Sequence, residues 1–217
     1  MFLTRICCVC GRELVDGERK ICLQCMSDAP EWRGSNVDLR AHRFPRTLPI
    51  EGVWPWLAYS NSDPICSLIR RGKFDDRPDI IEELARRYAG RLVADGRLDG
   101  IDAIVPVAMH WWKRMTRGYN QAALIADQIS QVSGIPVVDA LKASRHAVQS
   151  RKNAAEREAN VAGKFALRAA HGLMPASHIA IVDDILTTGA TLTAAMTALK
   201  AADPERFTVL TLAATTL

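Results

Sequence analysis

The sequence of 217 residues contains no run of about 18 apolar residues, the length that a transmembrane helix requires. Its first residues also lack the basic stretch and the following apolar stretch of a secretory signal. Both absences favour a cytoplasmic protein that does not insert into membranes. The chain is long enough for one ordinary domain and a small additional module.

Two widespread nucleotide-binding motifs are also missing. No Gly-x-x-x-x-Gly-Lys-Ser/Thr is present, which argues against a P-loop NTPase, and no Gly-x-Gly-x-x-Gly marks a dinucleotide-binding turn. The net charge of +4 is too small to indicate nucleic-acid binding by itself. Residues 111–120 nevertheless hold three basic and no acidic residues, and residues 141–168 hold seven basic against two acidic ones. This local excess suits an anionic ligand, although a solvated face also explains it.

Apolar residues follow the strand period and the helix period in alternation along the chain. Strands are predicted over residues 53–59, 101–107, 134–138, 178–182 and 207–212, and helices over residues 64–71, 78–94, 118–133, 153–160 and 190–202. The alternation predicts an α/β fold with a mostly parallel sheet flanked by helices on both faces. Pro55 assigns the first strand to an edge, because proline cannot donate to a neighbouring strand. We divide the chain into a cysteine module (1–30), a connector with the edge strand (31–60) and the main domain (61–217).

Cysteine is concentrated at the start of the chain, where five of the six cysteines precede residue 26. Four of them form two Cys-x-x-Cys pairs, Cys7 with Cys10 and Cys22 with Cys25. Two such pairs supply a tetrahedral shell for zinc, and we interpret the site as structural because it leaves no open position. Four unconnected buried thiols are the alternative, and a redox pair is disfavoured because no thioredoxin-like unit follows.

The segment from 179 to 191 carries the clearest sign of a ligand site. An apolar strand leads into Asp183 and Asp184, and a threonine-rich loop with one glycine then leads into a helix. Ligands of open α/β sheets bind beyond the carboxyl ends of the strands. The amides and the dipole at the start of the helix attract a phosphate, and the glycine permits close backbone approach.

The two acids do not suit a phosphate, because their charges repel it. We interpret them as acceptors for sugar hydroxyls or, indirectly, as part of a metal site. The segment therefore predicts a sugar phosphate as the ligand. An ordinary strand-to-helix turn, with Asp and Thr serving as helix caps, is the alternative.

The same segment closely resembles the ribose-phosphate signature of type I phosphoribosyltransferases. The resemblance implies that Asp183 and Asp184 contact the ribose hydroxyls of phosphoribosyl pyrophosphate. It also implies that the loop wraps the 5′-phosphate through Thr187, Thr188, Gly189, Ala190 and Thr191.

Two further segments, together with the cysteine pairs, are similar to the ComF family of competence-associated phosphoribosyltransferase-like proteins. One is basic, follows a predicted strand and contains Arg117-Gly-Tyr-Asn120. The other, over residues 149–165, contains Arg157-x-x-Asn160. The resemblance covers almost the whole chain and implies a type I phosphoribosyltransferase fold with a small zinc module.

One segment departs from the expected family pattern. A small proline-containing loop is expected after Val107, whereas this chain has Ala108 and Met109. The backbone amides of Val107 and Ala108 remain candidates for contacts with the pyrophosphate. Trp111 and Trp112, which follow, either cover the site or pack beneath it.

The resemblance also implies a reaction, the displacement of pyrophosphate from a ribose through an oxocarbenium-like transition state. Positioning and charge stabilisation supply the catalysis, with Mg²⁺ bridging the pyrophosphate and the ribose. The implied catalytic residues are Asp183, Asp184 and Arg117. The candidate pyrophosphate cations are Lys113, Arg114 and Arg117, with Lys73 and Arg145 closing over the ligand. Each of these cations is also explained as an ordinary surface charge.

Three functions stay open. The first is phosphoribosyl transfer to or from an acceptor that the sequence does not identify. The second is a non-catalytic module that binds single-stranded DNA or a phosphorylated ligand, with other DNA-uptake proteins as partners, as the link to competence suggests. The third is a regulator with an effector in the former active site. A homodimer is implied by the resemblance alone.

Overall fold

A computed structural model describes residues 5–74, 77–109, 115–116, 118–144 and 163–216, with Lys73 and Phe74 described by their backbone alone. The α-helices in these ranges are α1 (Leu23–Ser27), α2 (Asn36–Arg43), α3 (Pro64–Phe74), α4 (Pro78–Ala94), α5 (Gln121–Ser133) and α6 (Ala190–Leu199), and α6 continues into a 3-10 turn at Lys200–Ala202. The strands are β1 (Ile50–Tyr59), β2 (Ala103–Pro106), β3 (Leu141–Ala143), β4 (Phe165–Leu167), β5 (His178–Leu186) and β6 (Arg206–Thr215). None of these helices combines the length and the apolarity that a membrane span requires.

Four strands form one parallel sheet in the order β1-β6-β5-β2, which confirms the predicted α/β fold. β1 lies at one edge of the sheet, as Pro55 predicts. The chain just before α2 covers this edge: the amide of Trp32 donates to the carbonyl of Trp56 at 2.8 Å, and the amide of Ala58 donates to the carbonyl of Pro30 at 2.7 Å. The edge is therefore paired rather than open to another chain.

Helices cover both faces of the sheet, as the alternating pattern predicts. One apolar cluster joins α3, α4 and most of α5 to residues such as Ala180 and Val182 of β5. The other cluster joins α2, α6 and the β3–β4 ribbon to residues such as Ile179 and Ile181. Successive strand residues point to opposite faces, so residues 179–182 of β5 alternate between the two clusters.

The cysteine module is fixed to α4 by polar contacts as well as by apolar packing. Glu83 is 4% exposed and accepts from Arg87 Nε at 2.6 Å. Arg87 Nη2 in turn donates to the carbonyl of Ile21 at 3.1 Å. Lys20 Nζ forms an ion pair with Asp79 at the start of the same helix, at 2.8 Å. The module therefore rests on the helical layer, while the division of the chain at residues 30 and 60 stays a prediction.

Several predicted elements need correction. The segment interpreted as a connector forms α2, whose first turn is capped by Ser35 accepting from the amide of Asp38 at 3.1 Å. The strand predicted over 134–138 is reduced to a single bridge between Val137 and Ile104. The antiparallel ribbon of β3 and β4 was not predicted, because three-residue strands carry too little periodicity.

The most consequential correction concerns β5. A strand over 178–182 was expected to end before the acid pair, whereas β5 continues to Leu186. The reason is its long neighbour β6, which keeps the register with β5 up to Leu186 and Ala214. The two acids therefore lie among the last residues of a hydrogen-bonded strand rather than in a loop.

Candidate functional site

β2 is the parallel neighbour of β5 and ends beside Val182, immediately before the acid pair. Beyond the end of β2, the amide of Val107 donates to the carbonyl of Val182 at 2.9 Å. Asn120 Nδ2 donates to the carbonyl of Val107 at 3.0 Å, and Asn120 Oδ1 accepts from the amide of Ala122 at 3.2 Å. One side chain thus caps α5 and holds the loop after β2 beside the acid pair of β5.

The acid pair lies at this same edge of the sheet. Asp183 is half-buried, whereas only 7% of Asp184 is exposed. Asp183 Oδ1 accepts from the amide of Asp184 at 2.9 Å, and Asp184 Oδ1 accepts from the amide of Ile185 at 2.9 Å. The two carboxylates therefore differ in burial, and Asp183 is the more accessible one.

Three residues, Thr187, Thr188 and Gly189, join β5 to α6. The side chains of Thr187, Thr188 and Thr191 are exposed. Gly189, the cap residue, has no side chain that could accept from the first turn of α6. The amide of Ala190 makes a long contact of 3.4 Å with Thr188 Oγ1. The first turn of a helix leaves amides without intrahelical partners and carries a positive partial charge. This helix start is chemically suited to a phosphate group.

Glycine is required at position 189 for two reasons. Its φ of +79° lies in the left-handed region, which other residues rarely adopt. A Cβ at this position would also lie 2.3 Å from the carbonyl oxygen of Arg43, the last residue of α2. Arg43 is fixed there by its Nη2, which donates to the carbonyl and the hydroxyl of Thr215, both at 3.2 Å. The loop after β5 is therefore packed directly against the amino-terminal part of the chain.

Of the predicted cations, only Lys73 lies among the described residues. Lys73 lies in the last turn of α3, which is tied to the start of α5: the Tyr119 hydroxyl donates to the carbonyl of Gly72, and Gln121 Nε2 donates to the carbonyl of Ile69 at 3.3 Å. The predictions that fall outside the described residues are Lys113, Arg114, Arg117, Arg145, Trp111, Trp112, Arg157, Asn160 and the helix over residues 153–160.

A recess of about 190 Å³ adjoins the loop after β2. It is lined by Ala108, Met109, Asn120, Asp139, Lys142, Ala143 and Arg168. Arg168 is oriented by Asp139 at 3.1 Å and by the carbonyl of Leu141, to which its Nε donates at 3.1 Å. Sequence reasoning missed Lys142 and Arg168 as individual site residues. The basic excess over 141–168 contains them, but only the β3–β4 pairing shows that they lie beside Ala108.

The four cysteines of the two pairs form one cluster. The sulfur atoms of Cys7, Cys10, Cys22 and Cys25 lie within 4.8 Å of one another, and those of Cys10 and Cys22 are 3.8 Å apart. Four sulfurs arranged tetrahedrally around zinc, at Zn–S distances of about 2.3 Å, would be about 3.8 Å apart. The observed spacing therefore fits a tetrahedral metal ion.

Backbone amides also prepare this cluster for a cation. The amides of Val9 and Cys22 each donate to the sulfur of Cys7 at 3.4 Å. Burial raises the pKa of the Cys7 thiol, but hydrogen bonds from backbone amides outweigh burial and lower this pKa to about 6. Burial and the neighbouring cysteine sulfurs raise the pKa of Cys25. Cys8 is not part of the cluster, and its sulfur lies 3.9 Å from Arg77 Nη2.

Comparison with known proteins places this architecture in a defined class. Residues 79–216 match the family model of the phosphoribosyl transferase domain. Competence protein F of Haemophilus influenzae is 31% identical over 167 residues, which cover 73% of this chain and 72% of that protein. DNA utilization protein YhgH of Salmonella typhimurium is 29% identical over 199 residues, which cover 86% of this chain and 80% of that protein.

Among solved structures, a purine phosphoribosyltransferase from Pyrococcus horikoshii aligns over 62% of this chain and 77% of its own, with 20% identity and a TM-score of 0.40. The assignment therefore depends on the sequence matches and on the sheet described above. The fold is that of an open parallel α/β protein with a phosphoribosyl transferase domain. The chain belongs to the phosphoribosyltransferase family, as a ComF-like member with an amino-terminal four-cysteine module.

Replacing Gly189 with alanine tests the packing of the loop on α2. Gly134, at the end of α5, is a matched control, because its φ of +77° is nearly the same but a Cβ there would meet nothing within 4 Å. We expect Gly134→Ala to lower the free energy of unfolding by about 1–2 kcal/mol through backbone strain alone. Gly189→Ala should lower it by about 1–3 kcal/mol more, because the added atom overlaps the carbonyl of Arg43. Denaturant unfolding measures both, and equal losses would contradict the close contact.

Proposed function

We propose that the chain binds phosphoribosyl pyrophosphate with Mg²⁺ at the carboxyl edge of its sheet and transfers the phosphoribosyl group to, or from, an acceptor. The observation that carries this proposal is the position of the acid pair. Asp183 and Asp184 stand near the end of β5, and the start of α6, at Ala190 six residues after Asp184, offers an anion site. The acid pair suits two sugar hydroxyls, and the helix start suits the neighbouring phosphate.

The proposal assigns a role to each segment at this edge. The loop over 187–191 holds the 5′-phosphate through its amides and hydroxyls. Asp183, the more open acid, accepts from the ribose hydroxyls, while Asp184, which is 7% exposed, supports the same region from the adjacent position in the strand. The amide of Val107, predicted to face the pyrophosphate, donates instead to the carbonyl of Val182 on β5, so only the amide of Ala108 is assigned to the pyrophosphate. The predicted cations Lys113, Arg114, Arg117, Lys73 and Arg145 are assigned to the same group.

Catalysis of this reaction depends mainly on how the protein positions the reacting groups. As pyrophosphate leaves, positive charge develops at the sugar and negative charge on the leaving group. Asp183 lies on the sugar side and stabilises the positive charge at the sugar. The basic segments stabilise the negative charge on the leaving pyrophosphate. Mg²⁺, which prefers oxygen ligands from carboxylates and phosphates, supplies Lewis-acid neutralisation of the pyrophosphate when bound. The oxygen donors of Asp183 and of the ligand suit this ion.

Isothermal titration with phosphoribosyl pyrophosphate and Mg²⁺ tests the proposal. Asp183→Asn and Asp184→Asn should each weaken binding at least tenfold, because hydrogen bonds to charged groups contribute about 1.5–3 kcal/mol. Asp127→Asn on the exposed face of α5 removes the same charge and should leave the affinity unchanged. Absence of binding at millimolar ligand, or equal effects in all three variants, would contradict the proposal.

We also propose that the cysteine cluster holds one structural Zn²⁺. Four sulfur ligands leave no position for a substrate, and the module packs on α4. The ion would fix the first segment of the chain, which buries little apolar surface of its own.

Metal analysis of the purified protein tests this assignment. We expect about one zinc per chain, since four thiolates complete its coordination shell. Cys10→Ser should lose most of the metal and lower the melting temperature. Cys8→Ser, one residue from the cluster partner Cys7, should keep both. Retention of the metal in Cys10→Ser would count against the four-cysteine site.

A second candidate function is the binding of single-stranded DNA. The observation that favours it is that one relative is named a competence protein and another a DNA utilization protein. If DNA is the ligand, binding measured by fluorescence anisotropy should weaken steeply with salt and survive Asp183→Asn combined with Asp184→Asn. Competition between DNA and phosphoribosyl pyrophosphate would instead assign both to the sheet edge.

A further inference from the structure

The carboxyl-terminal end of α3 is bound by side chains from the start of α5. Gln121, which is 2% exposed, donates from its Nε2 to the carbonyl of Ile69 at 3.3 Å. The hydroxyl of Tyr119 donates to the carbonyl of Gly72, three residues further along α3. Buried polar side chains in native proteins are hydrogen-bonded, and a buried group that loses its partner is costly. These two donors therefore fix the end of α3 to the start of α5.

α4 packs against the same end of α3. Gly72 is buried, and a Cβ at this position would lie 2.5 Å from both Cγ1 and Cδ1 of Ile81. Protein interiors are close-packed, so two helices in such contact shift together or not at all. The last turn of α3 is thus held by α4 as well as by α5.

The cysteine module contacts α3 and α4 on its own side of this junction. Arg71 Nη1, in the last turns of α3, donates to the carbonyl of Cys8 at 3.4 Å. Two of the cysteines proposed to hold zinc, Cys7 and Cys22, belong to the same buried apolar cluster as α3 and α4. Small metal modules depend on their metal for folding. The packing of α3 and α4 therefore depends on whether the module holds its ion.

The start of α5 also holds the loop after β2. Asn120 stands between Tyr119 and Gln121 in the sequence, and its Nδ2 donates to the carbonyl of Val107 at 3.0 Å. Three consecutive side chains thus bind the end of α3 and the loop after β2. A shift of α3 that displaces residues 119 and 121 also displaces Asn120, and with it the loop.

We propose that the zinc-bound cysteine module positions the loop after β2, with Tyr119 and Gln121 as the positioning residues that connect α3 to this loop. The proposal rests on the function proposed above for its ligand, the pyrophosphate group assigned to the amide of Ala108. Loss of zinc would loosen the module, release the end of α3 and leave the loop less ordered. The zinc site, which has no open position for a substrate, would then set how tightly pyrophosphate is held.

The loop over 187–191 belongs to a different part of the core. The helix that follows it, α6, packs with α2 in the second apolar cluster, through residues such as Leu39 and Leu192. The cysteine module, α3 and α4 belong to the first cluster. Loosening of the module should therefore affect the loop after β2 and spare residues 187–192. This selectivity distinguishes positioning from a general loss of stability.

Amide hydrogen exchange of the ligand-free chain, with zinc bound and after its removal by a chelator, tests the proposal. Exchange at residues 107–109 should accelerate about fivefold or more without zinc, the change that corresponds to one lost hydrogen bond. Exchange at residues 187–192 should stay the same. Gln121→Met, which keeps the side-chain length but removes the donor, should accelerate exchange at residues 107–109 with zinc bound. Gln128→Met makes the same change at a residue that donates only to Gln131 on the surface of α5, and it should not.

Titration calorimetry with pyrophosphate and Mg²⁺, and separately with ribose 5-phosphate, gives a second readout. Zinc removal and Gln121→Met should each weaken pyrophosphate binding about fivefold and leave the affinity for ribose 5-phosphate unchanged. With zinc saturating, the module is already ordered, so its own exchange should not respond to the ligand. If neither compound binds the zinc-bound wild type, the proposed phosphoribosyl transfer fails, while the exchange measurement still decides the positioning role.

The outcomes separate cleanly. Unchanged exchange at residues 107–109 without zinc would overturn the proposal, as would equal acceleration at residues 187–192 in a chain that remains folded, or a purified chain that binds no zinc. If zinc removal unfolds the whole chain, Arg71→Gln decides with zinc bound, because this side chain is exposed and its loss should not prevent folding. It should accelerate exchange at residues 107–109, whereas Arg70→Gln, at its exposed neighbour, should not. Equal exchange in these two variants would overturn the proposal.

Discussion

The parallel pairing of β5 with β6 continues past the acid pair, with Asp183 opposite Thr211 and Leu186 opposite Ala214. This register fixes the positions of three other parts of the molecule. It holds Asp183 and Asp184 in an extended backbone, it delivers the chain to the start of α6, and it places β2 and its following loop on the other side of β5. Any distortion here would move the acids, the helix start and the loop after β2 together.

The amino-terminal part of the chain is connected to this edge by α2. The helix begins at Asn36 and ends at Arg43, whose carbonyl lies against Gly189. Eight residues of α-helix span about 12 Å, so one short rigid element leads from the segment beside β1 to the loop after β5. The family model begins at residue 79, yet α2, which precedes it, contacts the loop that leads into α6. The segment before the matched domain therefore supports the candidate site.

The sequence predicted local features better than contacts between distant parts of the chain. The helix over 78–94 and the edge position of β1 followed from periodicity and from Pro55, because both signals are local. The close contact of Gly189 with Arg43 was not predicted, because it joins residues that are far apart in sequence. Asn120, Lys142 and Arg168 were missed in their individual roles for the same reason. The end of β5 was misplaced because its length depends on β6, and an isolated strand pattern contains no information about its neighbour.

The central claim is that the carboxyl edge of the sheet holds a ribose phosphate, and amide hydrogen exchange tests it most directly. The account predicts that phosphoribosyl pyrophosphate with Mg²⁺ slows exchange at residues 187–192 and at residues 108–109, where amides contact the ligand. Exchange within α1 of the cysteine module should not change. Unchanged exchange at residues 187–192 under saturating ligand, or protection confined to other segments, would contradict the account.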